Sequence, residues 1–221
     1  MSEKGACKAV IFDLDGVLVT TDDYHYKAWK KMADEEGIDF DRKINERLRG
    51  VSRMESLAII LEKSSHTYTD SEKTELAGRK NAYYRDSLKS LSPSDILPGT
   101  KETLAALKKR HIKVAVGSSS KNAIPILEKI GMKDSFDAIA DGNDITNSKP
   151  DPEVFLVAAK KLGLKPADCV VVEDAEAGLE AAYAAGMRCF AVGSAASSPK
   201  AKSKAVDLSQ ADFNELIDPK F

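Results

Sequence analysis

Three cysteines, Cys7, Cys169 and Cys189, are an odd number without zinc-ligand spacing. Two of them sit in apolar, strand-like runs, so buried free thiols in a reducing compartment are the expected state. Net charge is almost absent as well: 33 basic residues face 35 acidic ones, for a formal charge of −2. That balance argues against a general nucleic-acid binder, which carries a basic excess, and leaves only a local basic patch open. No apolar run approaches the ~18 residues that a membrane helix needs, and the opening "MSEKGACK" is too polar for a signal peptide. The expectation is a cytoplasmic protein with neither a membrane nor a nucleic acid as partner. No internal repeat occurs, and the one biased segment, "GSAASSPKAKSKA" (193–205), reads as a solvated loop. What is present is an ordinary globular composition, 43% hydrophobic and 31% charged, in a chain of 221 residues. Such a chain buries one good core and has room for a smaller satellite domain.

Short β-rich runs alternate with helical patterns, the signature of a parallel sheet covered by helices. The strand-like runs are 8–12, 112–116, 138–140, 169–172 and 188–192. Helical stretches lie near 100–110, 121–130, 152–162 and 175–185, with Gly or Pro at the joints. Residues 18–93 break the alternation. They hold helix-like patterns only, at 22–36, 53–64 and 70–88, and are expected to form a helical domain inserted between core segments 1–17 and 94–221.

The polar groups that follow the strands carry the chemistry. "VIFDLDGVLV" (10–19) places Asp13 and Asp15 at the end of an apolar run. A buried carboxylate without a partner is costly, so such a pair binds a cation or takes part in a reaction. "GSSSKN" (117–122) follows the second strand, and "EDAEAG" (173–178) the fourth. In open α/β sheets ligands bind at the carboxyl ends of the strands, so these groups can share one crevice. There Asp13 with Glu173 or Asp174 offers the hard oxygen ligands that Mg²⁺ prefers. Ser118, Ser119 and Ser120 offer hydroxyls and backbone N–H groups at a helix start, a natural phosphate cradle. Lys149, in "NSKPD", adds a point charge. Taken singly, each has a plainer reading as a surface turn, a helix cap or a solvated charge. Taken together, in order and each near a strand end, they describe a phosphoryl-transfer site.

Through "DLDGV" (13–17), Ser118 of "VGSSS", Lys149 of "SKPDPEVF" and "VEDAEAG" (172–178), the chain resembles the haloacid dehalogenase superfamily. The resemblance spans nearly the whole chain and implies an α/β fold: a Rossmann-like parallel sheet core with an inserted small helical cap domain. It also implies that Asp13 is a nucleophile forming an aspartyl phosphate and that Asp15 is the general acid and base. Mg²⁺ would be held by Asp13, the backbone carbonyl of Asp15, and Asp174, with Glu173 close by. Ser118 and Lys149 would bind the transferring phosphoryl group, with Ser119 and Ser120 in the same loop.

The insert is similar to the cap of the superfamily's β-phosphoglucomutase branch, through "DDYHYKAWKKMADEEGI" (22–38), "LRGVSRMESL" (48–57), "GRKNAYY" (78–84) and "LSPSDILPG" (91–99). That likeness implies a sugar-phosphate substrate, conversion of β-D-glucose 1-phosphate to glucose 6-phosphate, and β-glucose 1,6-bisphosphate as intermediate and activator. Thr21, His25, Trp29, Gly50, Val51, Ser52, Arg53, Ser56, Lys80 and Asn122 would then surround the sugar, with Arg53 on the distal phosphate. The expected unit is a monomer. A capped Mg²⁺-dependent sugar-phosphate phosphatase is the alternative within the superfamily, and a non-catalytic phosphate-binding module the alternative outside it. His25, Trp29 and Met32 fall at i, i+4 and i+7, a stripe that by itself reads as packing. One departure stands out: relatives commonly carry an Asp just before the Thr that starts the cap, and here that place holds Thr20, in "VTTDDYH".

Overall fold

The computed structural model describes residues 6–220, so that residues 1–5 of the polar N-terminal stretch and Phe221 lie outside the described residues. Six parallel strands form one sheet: β1 (Ala9–Phe12), β2 (Lys113–Gly117), β3 (Ala138–Ala140), β4 (Cys169–Glu173), β5 (Arg188–Ala191) and β6 (Ser203–Lys204), in the order β3-β2-β1-β4-β5-β6. Both sheet faces are covered, which is why the central strands are apolar throughout rather than alternating with polar residues. Along β1, Val10 and Phe12 enter one core cluster with Val116, Val172 and Phe190. Ala9 and Ile11 enter the other with Ala115, Val171 and Phe155, as the two-residue period of a strand requires. Cys169 and Cys189 are buried free thiols within this sheet, while Cys7, just before β1, is half-buried.

Four helices, α1 (Asp22–Glu35), α2 (Arg42–Glu46), α3 (Arg53–Leu61) and α4 (Asp70–Ser87), follow β1 and precede the return to the sheet at α5 (Thr100–Lys109). They enclose a separate apolar cluster of Trp29, Met32, Phe40, Ile44, Leu57, Ile60 and Leu76. Reciprocal capping boxes start α3 (Ser52 with Glu55) and α4 (Thr69 with Glu72), each satisfying two backbone donors. The two connections to the sheet run side by side, with Leu97 N–H donating to Leu18 O at 3.0 Å and Thr20 N–H donating to Asp95 O at 3.2 Å. The rest of the core follows in turn: α6 (Ala123–Lys129), α7 (Glu153–Leu162), α8 (Glu176–Ala184) and α9 (Phe213–Ile217).

Two expectations need correction. The segment 193–205 is not simply a solvated loop: it forms a short 3₁₀ turn that buries Ala195, and then β6, which pairs with β5 and buries Ser203. Polarity misleads there, because an edge strand two residues long needs no apolar run. In addition, α6 starts at Ala123, after the serine loop, so the three serines form a turn ahead of the helix rather than its first turn.

Candidate active site

Three strand ends build the floor of a cavity of about 1040 Å³ between the sheet and the four inserted helices. β1 is central, and its end delivers Asp13 beside β4, where the Asp13 N–H donates to Val172 O at 2.9 Å. The chain then turns at Gly16, in the left-handed region with φ of 82°. A Cβ there would lie 2.1 Å from Asp174 Oδ2, so only glycine lets β1 leave past that carboxylate.

Lys149 is the buried centre of the floor, 1% exposed, and donates to Asp13 Oδ1 and, at 2.8 Å, to Glu173 Oε2. Burial pulls the Lys149 pKa down, but the Asp13 and Glu173 carboxylates more than offset it and hold the ammonium above its usual value. For Glu173 burial dominates in the other direction and raises its pKa. Burial, with Glu173 and Asp13 as like charges, drives the Asp174 carboxyl well up. Carboxylate oxygens of Asp13, Glu173 and Asp174 lie within 4.8 Å of one another. Three buried carboxylates, only two of them paired with Lys149, form an all-oxygen donor set short of positive charge, and this fits a hard divalent cation such as Mg²⁺.

Asp15 stands beside this floor. Burial raises its pKa to about 7, Thr21 works against that by donating a hydrogen bond from its hydroxyl, and Asp13 adds to it. The carboxyl can therefore give or take a proton near neutrality. Thr21 is spent on this contact and leaves α1 without a side-chain cap.

In the serine loop the Ser118 hydroxyl accepts from Ser120 N–H at 3.1 Å and the Ser120 hydroxyl from Asn122 N–H at 3.2 Å. The Ser119 hydroxyl is buried with no hydrogen-bond partner among the described residues. The inserted helices supply the roof. Lys80, 2% exposed, lies 2.9 Å from His25 Nδ1 and over the rings of Trp29 and Tyr84. Burial, with Arg53 as a like charge, lowers its pKa to about 7, against a smaller pull from Asp15. His25 is likewise driven well below its usual value by burial and by Lys80.

Of the residues singled out from the sequence, Asp13, Asp15, Asp174, Ser118, Ser119, Ser120, Lys149, His25, Trp29, Gly50, Val51, Ser52, Arg53, Ser56, Lys80 and Asn122 line this one cavity. Thr21 and Glu173 stand behind its wall, acting on Asp15 and Lys149 instead. The helical stripe divides: Met32 is core, His25 faces the cavity, and Trp29 does both. Sequence reasoning missed several contributors. Arg49 pairs with Asp22 and approaches Asp174, and Asn81 accepts from Asn122 at 3.0 Å, joining α4 to the serine loop. Glu153 accepts from the N–H groups of Thr146 and Asn147 and so shapes the loop ahead of Lys149. Ser194 donates to Asp174 O at 2.6 Å. Asn81 lies inside the quoted "GRKNAYY", but nothing in its spacing separates it from a solvated helix residue.

The fold and this crevice define a class: a Rossmann-like α/β protein with an acidic, cation-fitting centre at the carboxyl edge of its sheet, roofed by helices. The chain belongs to the haloacid dehalogenase-like hydrolases, whose family model matches residues 7–186. It is 50% identical over 188 residues to the β-phosphoglucomutase of Bacillus subtilis (strain 168), covering 84% of this chain and 82% of that one. It is 32% identical over 178 residues to the fructose-1-phosphate phosphatase YqaB of Escherichia coli (strain K12), covering 80% and 92%. Among solved structures, a crystal structure of β-phosphoglucomutase from Clostridium difficile matches with a TM-score of 0.89 and 43% identity over 94% of both chains.

Proposed function

We propose that the protein is a β-phosphoglucomutase, interconverting β-D-glucose 1-phosphate and glucose 6-phosphate by way of a phosphorylated Asp13 and β-glucose 1,6-bisphosphate. The observation that carries this reading is a cavity with a place for a phosphate at each of two separate ends, an acidic cation-fitting centre with Lys149 at one and a pair of basic side chains at the other. Lys149 lies in the floor, held by carboxylates, and Arg53 with Lys80 lies in the roof, with no carboxylate within ion-pair distance among the described residues. A sugar carrying one phosphate needs one such end, whereas a bisphosphate needs both. The similarity to the Bacillus subtilis and Clostridium difficile enzymes supports the same assignment.

In this reading Asp13 attacks phosphorus and Lys149 steadies the oxygens of the transferring group. Asp15 takes the proton from the sugar hydroxyl in one half-reaction and returns it to the leaving oxygen in the other, a role that suits a carboxyl titrating near pH 7. Ser118, Ser119 and Ser120 hold phosphoryl oxygens, and Arg53 grips the distal phosphate with its planar fork of donors. His25, Trp29, Gly50, Val51, Ser52, Ser56, Lys80 and Asn122 surround the sugar. Mg²⁺, held by Asp13, Asp174 and the backbone carbonyl of Asp15 with Glu173 alongside, would supply positive charge to the phosphoryl oxygens. Residues 18–93 act as a cap over the catalytic segments 1–17 and 94–221, and their closure keeps water from the aspartyl phosphate. The enzyme works as a monomer in the cytoplasm.

The test is an incubation with Mg²⁺, β-glucose 1-phosphate and a trace of the bisphosphate. Glucose 6-phosphate should form in large excess over free phosphate. Free phosphate as the main product would make the protein a capped sugar-phosphate phosphatase instead.

A further inference from the structure

Among the described residues, Arg49 is the one cation that forms ion pairs with both the roof and the acidic centre, and the roles assigned above do not use it. It sits in the loop between α2 and α3, half-buried, with Nη1 2.6 Å from Asp22 Oδ2 and Nε 2.8 Å from Glu46 Oε2. Both of those carboxylates belong to the inserted helices. The same Nη1 lies 3.6 Å from Asp174 Oδ2, at the end of β4. Its neighbour Gly50 brings the loop onto the core: a Cβ there would lie 3.0 Å from Ala175 Cβ, and φ is 74°. The loop is therefore seated against the segment that carries Asp174, with a guanidinium pointing at that carboxylate.

We propose that Arg49 is a positioning residue that competes with the divalent cation for Asp174, so that seating of the Arg49–Gly50 loop on the core and cation binding oppose one another. The inference rests on the reading of Asp174 as a cation ligand. The argument is electrostatic. A guanidinium beside Asp174 lowers the negative potential that a dication needs and repels the dication directly. Arg49 already pairs with Asp22 and Glu46 at 2.6 and 2.8 Å, so it can yield Asp174 without becoming an unpaired charge. Because coupling between two binding events is reciprocal, a cation that displaces Arg49 also weakens the hold of the loop on the core. Asp22 then sets how readily Arg49 leaves, and it stands two residues after Thr20, the place where relatives carry an acid.

Calorimetric titration of the full chain with Mg²⁺ alone, without sugar phosphate, tests this. Arg49→Gln keeps a polar side chain of similar length without the charge, and Arg49→Ala removes both. Each should lower the Kd for Mg²⁺ by about fivefold, the lower end of ordinary coupling between sites. Asp22→Asn should raise the Kd in the wild-type background and have a clearly smaller effect in the Arg49→Gln background, where only the direct charge of Asp22 on Asp174 remains and the part that passes through Arg49 is gone. A Kd that stays the same or rises in both Arg49 variants overturns the inference, as does a fully additive Asp22→Asn effect. Absence of saturable Mg²⁺ binding to the wild type, or wild-type binding by Asp174→Asn, would instead overturn the cation reading and the inference with it.

Discussion

Floor and roof of the cavity both present cations to the space between them, but only the floor carries its own counter-ions. Lys149 is buried against two carboxylates, and the pairing holds its charge. Lys80 and Arg53 have no such partners; burial lowers the pKa of both, and Lys80 is left titrating near neutrality. A buried charge without a partner is an expense that a fold bears only where a ligand supplies the missing charge. The lysine of the floor is thus fixed by its own carboxylates before a phosphate binds, whereas the roof is completed by an anion. On this view the floor carries the bond chemistry and the roof decides what is bound and which way round.

Removing Asp13, the proposed nucleophile, tests the floor most severely. Asp13→Asn should cut turnover by something on the order of 10⁶, the scale seen when a covalent catalyst loses its nucleophile. No phosphate should become stably attached to the protein from a labelled small donor. Phosphate incorporated at another residue would move the chemistry away from β1. Asp15→Asn is the next largest, a loss of about 10² to 10⁴ in both transfer to sugar and loss to water. The phosphorylated variant should outlive the wild-type phosphoenzyme, and equal lifetimes would remove Asp15 from the proton path.

Changes in the roof should be smaller and of a different kind. Arg53→Ala should slow formation of glucose 6-phosphate about 10- to 100-fold, the cost of losing charge-assisted hydrogen bonds to a phosphate. Arg53→Lys should fall in between, because an ammonium cannot reproduce the fork. Phosphorylation of Asp13 by acetyl phosphate should survive in both variants. If Arg53→Ala stays within about twofold of wild type, roughly 0.4 kcal/mol, the distinction between floor and roof fails.

Lys80 sharpens the comparison through pH. Its pKa is lowered to about 7, chiefly by burial and then by Arg53, so above that pH the free enzyme holds it mostly neutral. A bound phosphate favours the charged form and pushes the pKa back up, so binding at pH 8 should take up about one proton. Affinity from this group then falls as pH rises above 7 and is level below it. Calorimetry in buffers of different ionisation enthalpy measures the uptake. No uptake at pH 8 would mean that Lys80 keeps one charge state throughout.

Much of the floor was legible in the sequence because parallel strands impose it. Once β1, β2 and β4 are read from apolar runs, their carboxyl ends must meet, and Asp13, Ser118 and Asp174 arrive together. Long helices such as α1 and α4 were legible from periodicity, while α2 and α9, at five residues each, and β6, at two, are too short to show a period. The roof was legible mainly through family resemblance. Its decisive contacts join residues far apart in the chain that share no spacing: Arg49 with Asp22 and Asp174, Asn122 with Asn81, Lys80 with His25. The stripe of His25, Trp29 and Met32 shows why: one helical face both packs a core and lines a cavity, and periodicity cannot divide it.

The mildest test concerns the hydrogen bond between the roof and the serine loop. Asn122 Nδ2 donates to Asn81 Oδ1 at 3.0 Å, and both residues are uncharged, so the bond is worth about 0.5 to 1.5 kcal/mol. Asn81→Ala removes it without touching the carboxylates of the floor or the cations of the roof. If closure over the phosphorylated Asp13 is what keeps water out, the variant should still phosphorylate Asp13 at the wild-type rate. The share of label lost as free phosphate should rise by about 2- to 10-fold, with only a modest fall in glucose 6-phosphate. Asn81→Asp is the sharper partner: it keeps an acceptor in the same place but brings a negative charge to a cavity built for anions, and it should weaken sugar-phosphate binding more than Asn81→Ala does. A loss from Asn81→Ala as large as that from Arg53→Ala would show that the roof works by its fit to the core rather than by its unpaired charge, and would reverse the order of importance argued from Lys80 and Arg53.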